Sequence, residues 1–307
     1  MKMLRKKASA LVAISVLSLL SQTICADSRR TQPGSELIGL YATEDKQKLT
    51  INPYILNIIA IWELTRGQNI AKVREYLVWY LDHLNYPDLD GLTGTIYNYQ
   101  IIEAGRETST KEYDSVDGYA GTFLYLANLY HQTSSDHSLI HDNWARIRDI
   151  AYLISYLQSE DGLTRVRLKA ENKVKYLMDN CEAYAGIRAF QELAVRVGYR
   201  QDEYYMKVAE NIRAAVLSRM YNRDAGNFYW AVDDRGKHAT DWGILYPDAL
   251  AQIFPICFGL LAADEQRAKM LWYEFSVGRG NNAENFPVEQ RIIYELTREK
   301  MLKQKSR

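Results

Sequence analysis

YDSVDGYAG (113–121) and MDNCEAYAG (178–186) align without gaps. Asp114 matches Asp179, Asp117 matches Glu182, and Tyr119-Ala120-Gly121 matches Tyr184-Ala185-Gly186. A looser third copy is TDWGILYPDA (240–249), in which Asp241 again stands five residues before a tyrosine, Tyr246. Each stretch leads into an apolar run at helical spacing, so each reads as a helix start that carries acids.

Outward from these starts the chain reads as helix after helix. Asn52-Pro53 is a cap followed by proline, opening a run to Leu64 that Gly67 closes. Helical periodicity then marks 70–84, 119–130, 144–157, 183–197 and 208–219. A seventh helix is expected over 250–261, kinked at Pro255, and two more over 264–276 and 286–303. A turn signal recurs between them. Asp90-Gly91-Leu92-Thr93 returns as Asp161-Gly162-Leu163-Thr164 and, more loosely, as Asp224-Ala225-Gly226. β-like segments follow two of these turns, at 95–102 and 227–232. IWELTR (61–66) against IYELTR (293–298) hints that the first and last helices are equivalent.

Composition bounds the rest. Lys2, Arg5, Lys6 and Lys7 precede an apolar stretch at 10–20, and Ala26 is a small residue before Asp27. This pattern reads as a secretory leader, 1–26, with a single domain over 27–307 and a periplasmic or secreted destination. The leader holds four of the 38 basic residues and none of the 38 acidic ones, which leaves 34 against 38, a net of −4. Nothing there suits nucleic acid, or a membrane once the leader is removed. Cys181 and Cys257 lie in apolar helical contexts and read as buried free thiols. The five histidines share no ligand spacing, and Asp88-x-Asp90-Gly91 lacks the later ligands of a calcium loop, so neither a metal nor another cofactor is expected. Glu63, mid-helix beside Trp62, reads as structural. Tyrosine (23) far exceeds phenylalanine (7), and a ring with a polar tip suits both a helical core and a sugar.

The helix-pair repeat, the acid-headed Tyr-Ala-Gly starts, the Asp-Gly-Leu turns and YPDALAQIFP (246–255) together resemble the six-hairpin glycosidase superfamily over roughly 50–285. The resemblance implies an all-α fold, an α/α toroid of helical hairpins, with long loops at one end framing a sugar cleft. It implies a polysaccharide or oligosaccharide substrate and hydrolysis by a carboxylate pair. Nine helices, plus a short one near 35–41, are fewer than the twelve of a full toroid, which leaves room for an incomplete ring.

The acids admit two readings. As capping boxes, Asp114 and Asp179 accept from their helix backbones while Asp117 and Glu182 reach back to the caps. As a glycosidase site, Asp117 stands on one side of the sugar and Asp179 or Asp241 on the other. An inverting pair lies about 6.5–9.5 Å apart with one member kept protonated. Glycine inside a helix costs about 1 kcal/mol against alanine. Gly121 and Gly186 therefore point to close helix approach on an inner ring. Tyr113, Asp114, Tyr119, Glu182, Tyr184, Trp230, Trp242 and Asp248 are the candidate sugar contacts. Tyr113, Tyr119, Tyr184 and Arg188 also keep a polysaccharide lyase open, and a non-catalytic carbohydrate-binding or scaffold protein is the third alternative. The oligomeric state is not encoded in any pattern found.

Overall fold

The computed structural model describes residues 49–102, 106–169 and 173–304. The leader expected over 1–26 and the short helix near 35–41 lie outside the described residues. In chain order the helices are α1 (Pro53–Thr65), α2 (Ile70–Asp82), α3 (Val116–Thr133), the short α4 (Ser138–Asp142) and α5 (Trp144–Leu157). They continue as α6 (Leu177–Arg196), α7 (Glu203–Ala215), the one-turn α8 (Phe254–Cys257), α9 (Gln266–Arg279) and α10 (Val288–Lys303).

Burial sorts them into two layers. α3 and α6 are buried on nearly every face of their first halves, as a helix surrounded by others must be. α5 buries only the stripe of Ile147, Ile150, Ala151, Leu153, Ile154 and Leu157 and leaves Tyr152 and Tyr156 exposed. α9 buries only Ala268, Leu271 and Phe275. The inner elements touch in a closed cycle: α1 on α3, α3 on α6, α6 on α8, α8 on α10, and α10 back on α1. Arg66 and Glu299 join the closure at 2.6 Å. Among the described residues the ring thus closes with five inner elements, where the resemblance implies six. The IWELTR and IYELTR echo marks α1 and α10, both inner and adjacent, and each sets an arginine over the aromatic ring four residues before it.

The tightest joint is α3 on α6. A Cβ on Gly121 would stand 2.5 Å from the Glu182 carbonyl carbon, and a Cβ on Gly186 would stand 2.5 Å from the Gly121 carbonyl oxygen. Only two bare backbones can come this close. Ser115 meets Asp179 and Asn128 meets Glu192, both pairs 64 residues apart, so the helices run parallel in constant register. On the other side of α3, buried Asn57 of α1 donates to the Tyr119 carbonyl and the Thr122 hydroxyl.

Short strands fill the loops at one end. β1 (Leu49–Ile51), β2 (Tyr99–Ile102) and β3 (Arg106–Ser109) form one antiparallel sheet, with Tyr99 paired to Ile51 and Ser109. β4 (Lys175–Tyr176), β7 (Ala231–Asp233) and β8 (Gly236–His238) form a second, and β5 (Tyr221–Asn222) pairs with β6 (Asn227–Phe228). The Asp-Gly turns hold Gly91 and Gly162 at φ +83° and +91°, backbone that strains any other residue. Asp88 is occupied as a turn acid, accepting from the Asp90 and Leu92 amides and from the Thr95 hydroxyl. Glu63 accepts from Asn69, and both cysteines are free and buried, as expected. The helix expected over 250–261 is broken. A π-turn spans Leu245–Ala249, and α8 starts afresh because Pro255 has no N–H to continue the ladder.

The glycine joint makes a stability prediction. Gly121→Ala and Gly186→Ala should each cost about 1–3 kcal/mol by overpacking. At about 2–4 °C per kcal/mol that is a clear loss in Tm by calorimetry. Gly278→Ala in α9, where a Cβ meets nothing within 4 Å, is the control and should hold or raise Tm.

Candidate functional site

The N-termini of all five inner elements open on one mouth. Tyr54 enters it from α1, Asp114 and Tyr119 from α3, Asp179 from α6, Tyr246 from the segment before α8 and Glu289 from α10. This cavity is about 260 Å³. A second lobe of about 230 Å³ shares Asp114, Ser115, Met178, Asp179 and Tyr246 with it and adds Tyr176 and Trp230. Asp179 therefore stands where the two lobes meet. Among the described residues no lysine, arginine or histidine lines either lobe. A larger hollow of about 620 Å³ runs beside the Asp161 turn and β7, but it has no aromatic wall and its Lys175 is paired with Asp161 at 2.7 Å.

Three acids meet beneath the mouth. Asp117 is fully buried and takes hydrogen bonds from Thr164 Oγ1 at 2.6 Å and the Gly118 amide at 3.1 Å. Ser115 Oγ lies 3.0 Å from Asp117 Oδ1 and 3.0 Å from Asp179 Oδ2. A Cβ on Gly118 would stand 2.8 Å from Ser115 Oγ, 2.9 Å from Glu182 Oε2 and 3.3 Å from Asp179 Oδ1, so the missing side chain is the space in which these groups meet. Both Glu182 oxygens are buried without a donor among the described residues. The Tyr54 hydroxyl is near enough to pull Glu182 back down, though outside ordinary hydrogen-bond geometry.

Burial is the main force on all three. It lifts Asp117 to about 6 against the pull of Thr164, Ser115 and the Gly118 and Asp117 amides. It lifts Asp179 well above the usual carboxylate range, and the neighbouring Asp117 charge adds to this. Glu182 is raised the same way, by burial first and Asp179 second. No described residue forms an ion pair with any of them. A dry site without a counter-ion holds few negative charges. Asp117, with most donors, is the group best fitted to carry one. Glu289, half-buried in the first turn of α10, is also raised by burial.

The structure separates residues that look alike in sequence. α6 starts at Leu177, so Asp179 lies inside its first turn, whereas the aligned Asp114 precedes α3 and is exposed. The capping boxes do not form. Ser115, not Asp114, caps α3 by accepting from the Gly118 amide, and Asp179 makes no cap bond. Asp241 is exposed in a turn, accepts from the Gly243 amide at 2.7 Å and lines neither lobe. Asp248 is buried and takes the Asp241 amide, which is a structural task. Tyr113 turns away to Asp88 and Asp90. Tyr184 and Arg188 line a separate depression with Tyr125 and Asn128. Arg188 is nine residues beyond Asp179 on α6, about 13 Å along the axis. Trp242 gives its carbonyl to Arg279 and stays off the mouth, while Trp230 stacks on Tyr176 at 6.0 Å in the second lobe. Sequence reasoning missed Ser115, Thr164, Tyr54, Tyr246 and Glu289 as site residues. Signals existed for two of them: Thr164 ends the repeated Asp-Gly-Leu-Thr turn, and Glu289 follows Pro287 at a helix start.

No family model matches the sequence, and no curated protein matches it. Solved structures do. A rhamnosidase from Klebsiella oxytoca with rhamnose bound superposes with a TM-score of 0.58 at 11% identity, covering 92% of this chain and 54% of that one. A GH63 mannosylglycerate hydrolase from Thermus thermophilus in complex with glucose gives a TM-score of 0.58 at 10% identity, covering 81% and 76%. A further glycosidase gives 0.52 at 15% identity, covering 82% and 72%. The chain spans about half the length of the Klebsiella rhamnosidase and 21% of a GH78 rhamnosidase from Bacillus. It has the fold of the six-hairpin glycosidases, and no single family within that superfamily is singled out.

Proposed function

We propose that this protein is an exported glycoside hydrolase that cleaves a neutral oligosaccharide or polysaccharide, with Asp179 as general acid and Glu289 as general base. One observation carries the reading. α6 and α10 are not paired in the inner ring, yet Asp179 and Glu289 both line the one mouth. Hydrolysis needs two carboxyl groups on opposite sides of the glycosidic oxygen. Burial and the neighbouring Asp117 charge raise Asp179 well above the usual carboxylate range, the direction a proton donor needs. The stacked Tyr54–Tyr119 and Tyr176–Trp230 pairs supply apolar faces, one to each lobe.

The charge of the mouth argues against a lyase. Such an enzyme must neutralise the carboxylate of an acidic sugar, and a mouth lined by Asp114 and Glu289 without a cation does not supply that. Tyr184 and Arg188 are also off the site. A scaffold reading wants the acids turned to their own helix backbones, and Asp179 is not.

Three measurements test the proposal. Asp179→Asn and Glu289→Gln should each lower reducing-end release from neutral glycans by about 10²–10⁴ with little change in Tm. Full turnover in both variants, or unsaturated product absorbing at 235 nm from an acidic polymer, would sink it. N-terminal sequencing of the exported protein should start at or near Asp27. Stability should also rise as pH falls from 7 toward 4.5. Asp117, at about 6 when folded against an ordinary 3.8, binds a proton more readily folded than unfolded. Burying its charge therefore costs on the order of 3 kcal/mol above pH 6, a cost removed as pH falls through 6 toward 4. Chemical denaturation that weakens steadily over that window would contradict the protonation scheme.

A further inference from the structure

We infer that Ser115 is a positioning residue that holds the acidic proton on Asp179, with Asp117 as its buried anionic anchor. The catalytic meaning of this rests on the reading of Asp179 as the general acid; the proton's place does not. Ser115 Oγ has three partners, each at 3.0 Å: the Gly118 amide, Asp117 Oδ1 and Asp179 Oδ2. A hydroxyl has one proton to give and two lone pairs to accept with. The Gly118 amide takes one lone pair. The single hydroxyl proton serves only one carboxyl, so the other contact holds only if that carboxyl brings a proton of its own.

The neighbours decide which. Asp117 already receives Thr164 Oγ1 at 2.6 Å and the Gly118 amide at 3.1 Å, while Asp179 has no other hydrogen bond among the described residues. An anion is stabilised where donors converge. The chain therefore runs from the Asp179 O–H to Ser115 and from the Ser115 O–H to Asp117. Every lone pair and proton of the serine is then used. The remaining ionisable groups that act on Asp179 are Asp114 and Asp117 before and within α3, Cys181 and Glu182 on α6, Tyr54 of α1, and Tyr176 and Tyr246 from flanking segments. None is cationic, so nothing competes to strip the proton. Asp117 and Ser115 thus act on the sugar through Asp179, and the buried Asp117 need not touch it.

The test is a carboxyl titration of the full protein with ¹³C-labelled aspartate, the Asp179 signal being assigned by its loss in Asp179→Asn. Ser115→Ala removes the hydroxyl and the helix cap together. Ser115→Gly removes the hydroxyl with only a few tenths of a kcal/mol of cap loss and covers the case in which the alanine form does not fold. In both, the Asp179 step should fall by about one pH unit or more, because its neutral form loses its acceptor. Ser115→Thr should restore it. An unmoved step alongside a lowered Tm would make Ser115 a cap only, and a rising step would mean that the hydroxyl donates to Asp179; either overturns the inference. The upper pH limit of glycan cleavage should move with the titration. Absence of cleavage with the titration moved would overturn the hydrolase reading and uphold the proton assignment.

Discussion

The contact of Gly121 with Gly186 sets the rest of the molecule. Two helices that meet backbone to backbone cannot slide or separate without opening a void, so their register is fixed. That register puts the first turn of α3 beside the second turn of α6, with Ser115 opposite Asp179. Asp117, Asp179 and Glu182 are brought together as a consequence, because each lies within two turns of its glycine. The site is therefore not a set of loops laid on a scaffold. Its buried half is the end of the same joint that holds the inner ring together.

A joint of this kind works against folding unless the charges are managed. Three carboxyl groups buried side by side with no ion pair would repel one another strongly if all were ionised. The structure limits this by supplying donors unequally. Asp117 receives three and is fitted for an anion, Asp179 shares one serine, and Glu182 receives none among the described residues. Unequal solvation drives the protons toward Asp179 and Glu182. The arrangement that makes the fold tolerable thus also favours the protonated form of Asp179, the acid at the mouth. Similar pairs of carboxyls with environments that push them apart are how acid and base roles are assigned in hydrolytic sites generally.

Much of this was legible in the sequence, and what was not has a physical reason. The near-copies at 113–121 and 178–186 pointed to the parallel inner pair and the close approach at Gly121 and Gly186, because a glycine that weakens its helix by about 1 kcal/mol is retained where backbones must touch. Helical periodicity located the outer layer, since an outer helix shows one apolar stripe. The roles of the aligned acids were not legible. Gap-free alignment does not say where a helix begins, and α6 begins four aligned positions earlier than α3. That offset places Asp179 in a first turn and Asp114 outside one. The third copy failed for a related reason: Ile244 and Tyr246 keep extended backbone, so the helical segment begins after Asp241, which heads a turn instead. Glu289 escaped notice because its partner lies 110 residues away in sequence, and only ring closure brings α10 round to face α6.

The division of labour among the acids follows from depth. Asp114 is exposed at the rim, Asp179 is at the junction of the two lobes, and Asp117 and Glu182 are sealed beneath. An exposed carboxylate can orient a bound hydroxyl but stays in contact with solvent. A sealed one cannot reach substrate, yet its protonation state is insulated from solvent. The proposed proton donor must both reach the mouth and be shielded enough to favour its neutral form, and among the acids of α3 and α6 Asp179 alone has that depth. Glu289, half-buried on α10, lines the same mouth, where the proposed base has to stand. Depth within the mouth, more than position in the sequence repeat, thus separates the groups suited to proton transfer from those that hold them in place.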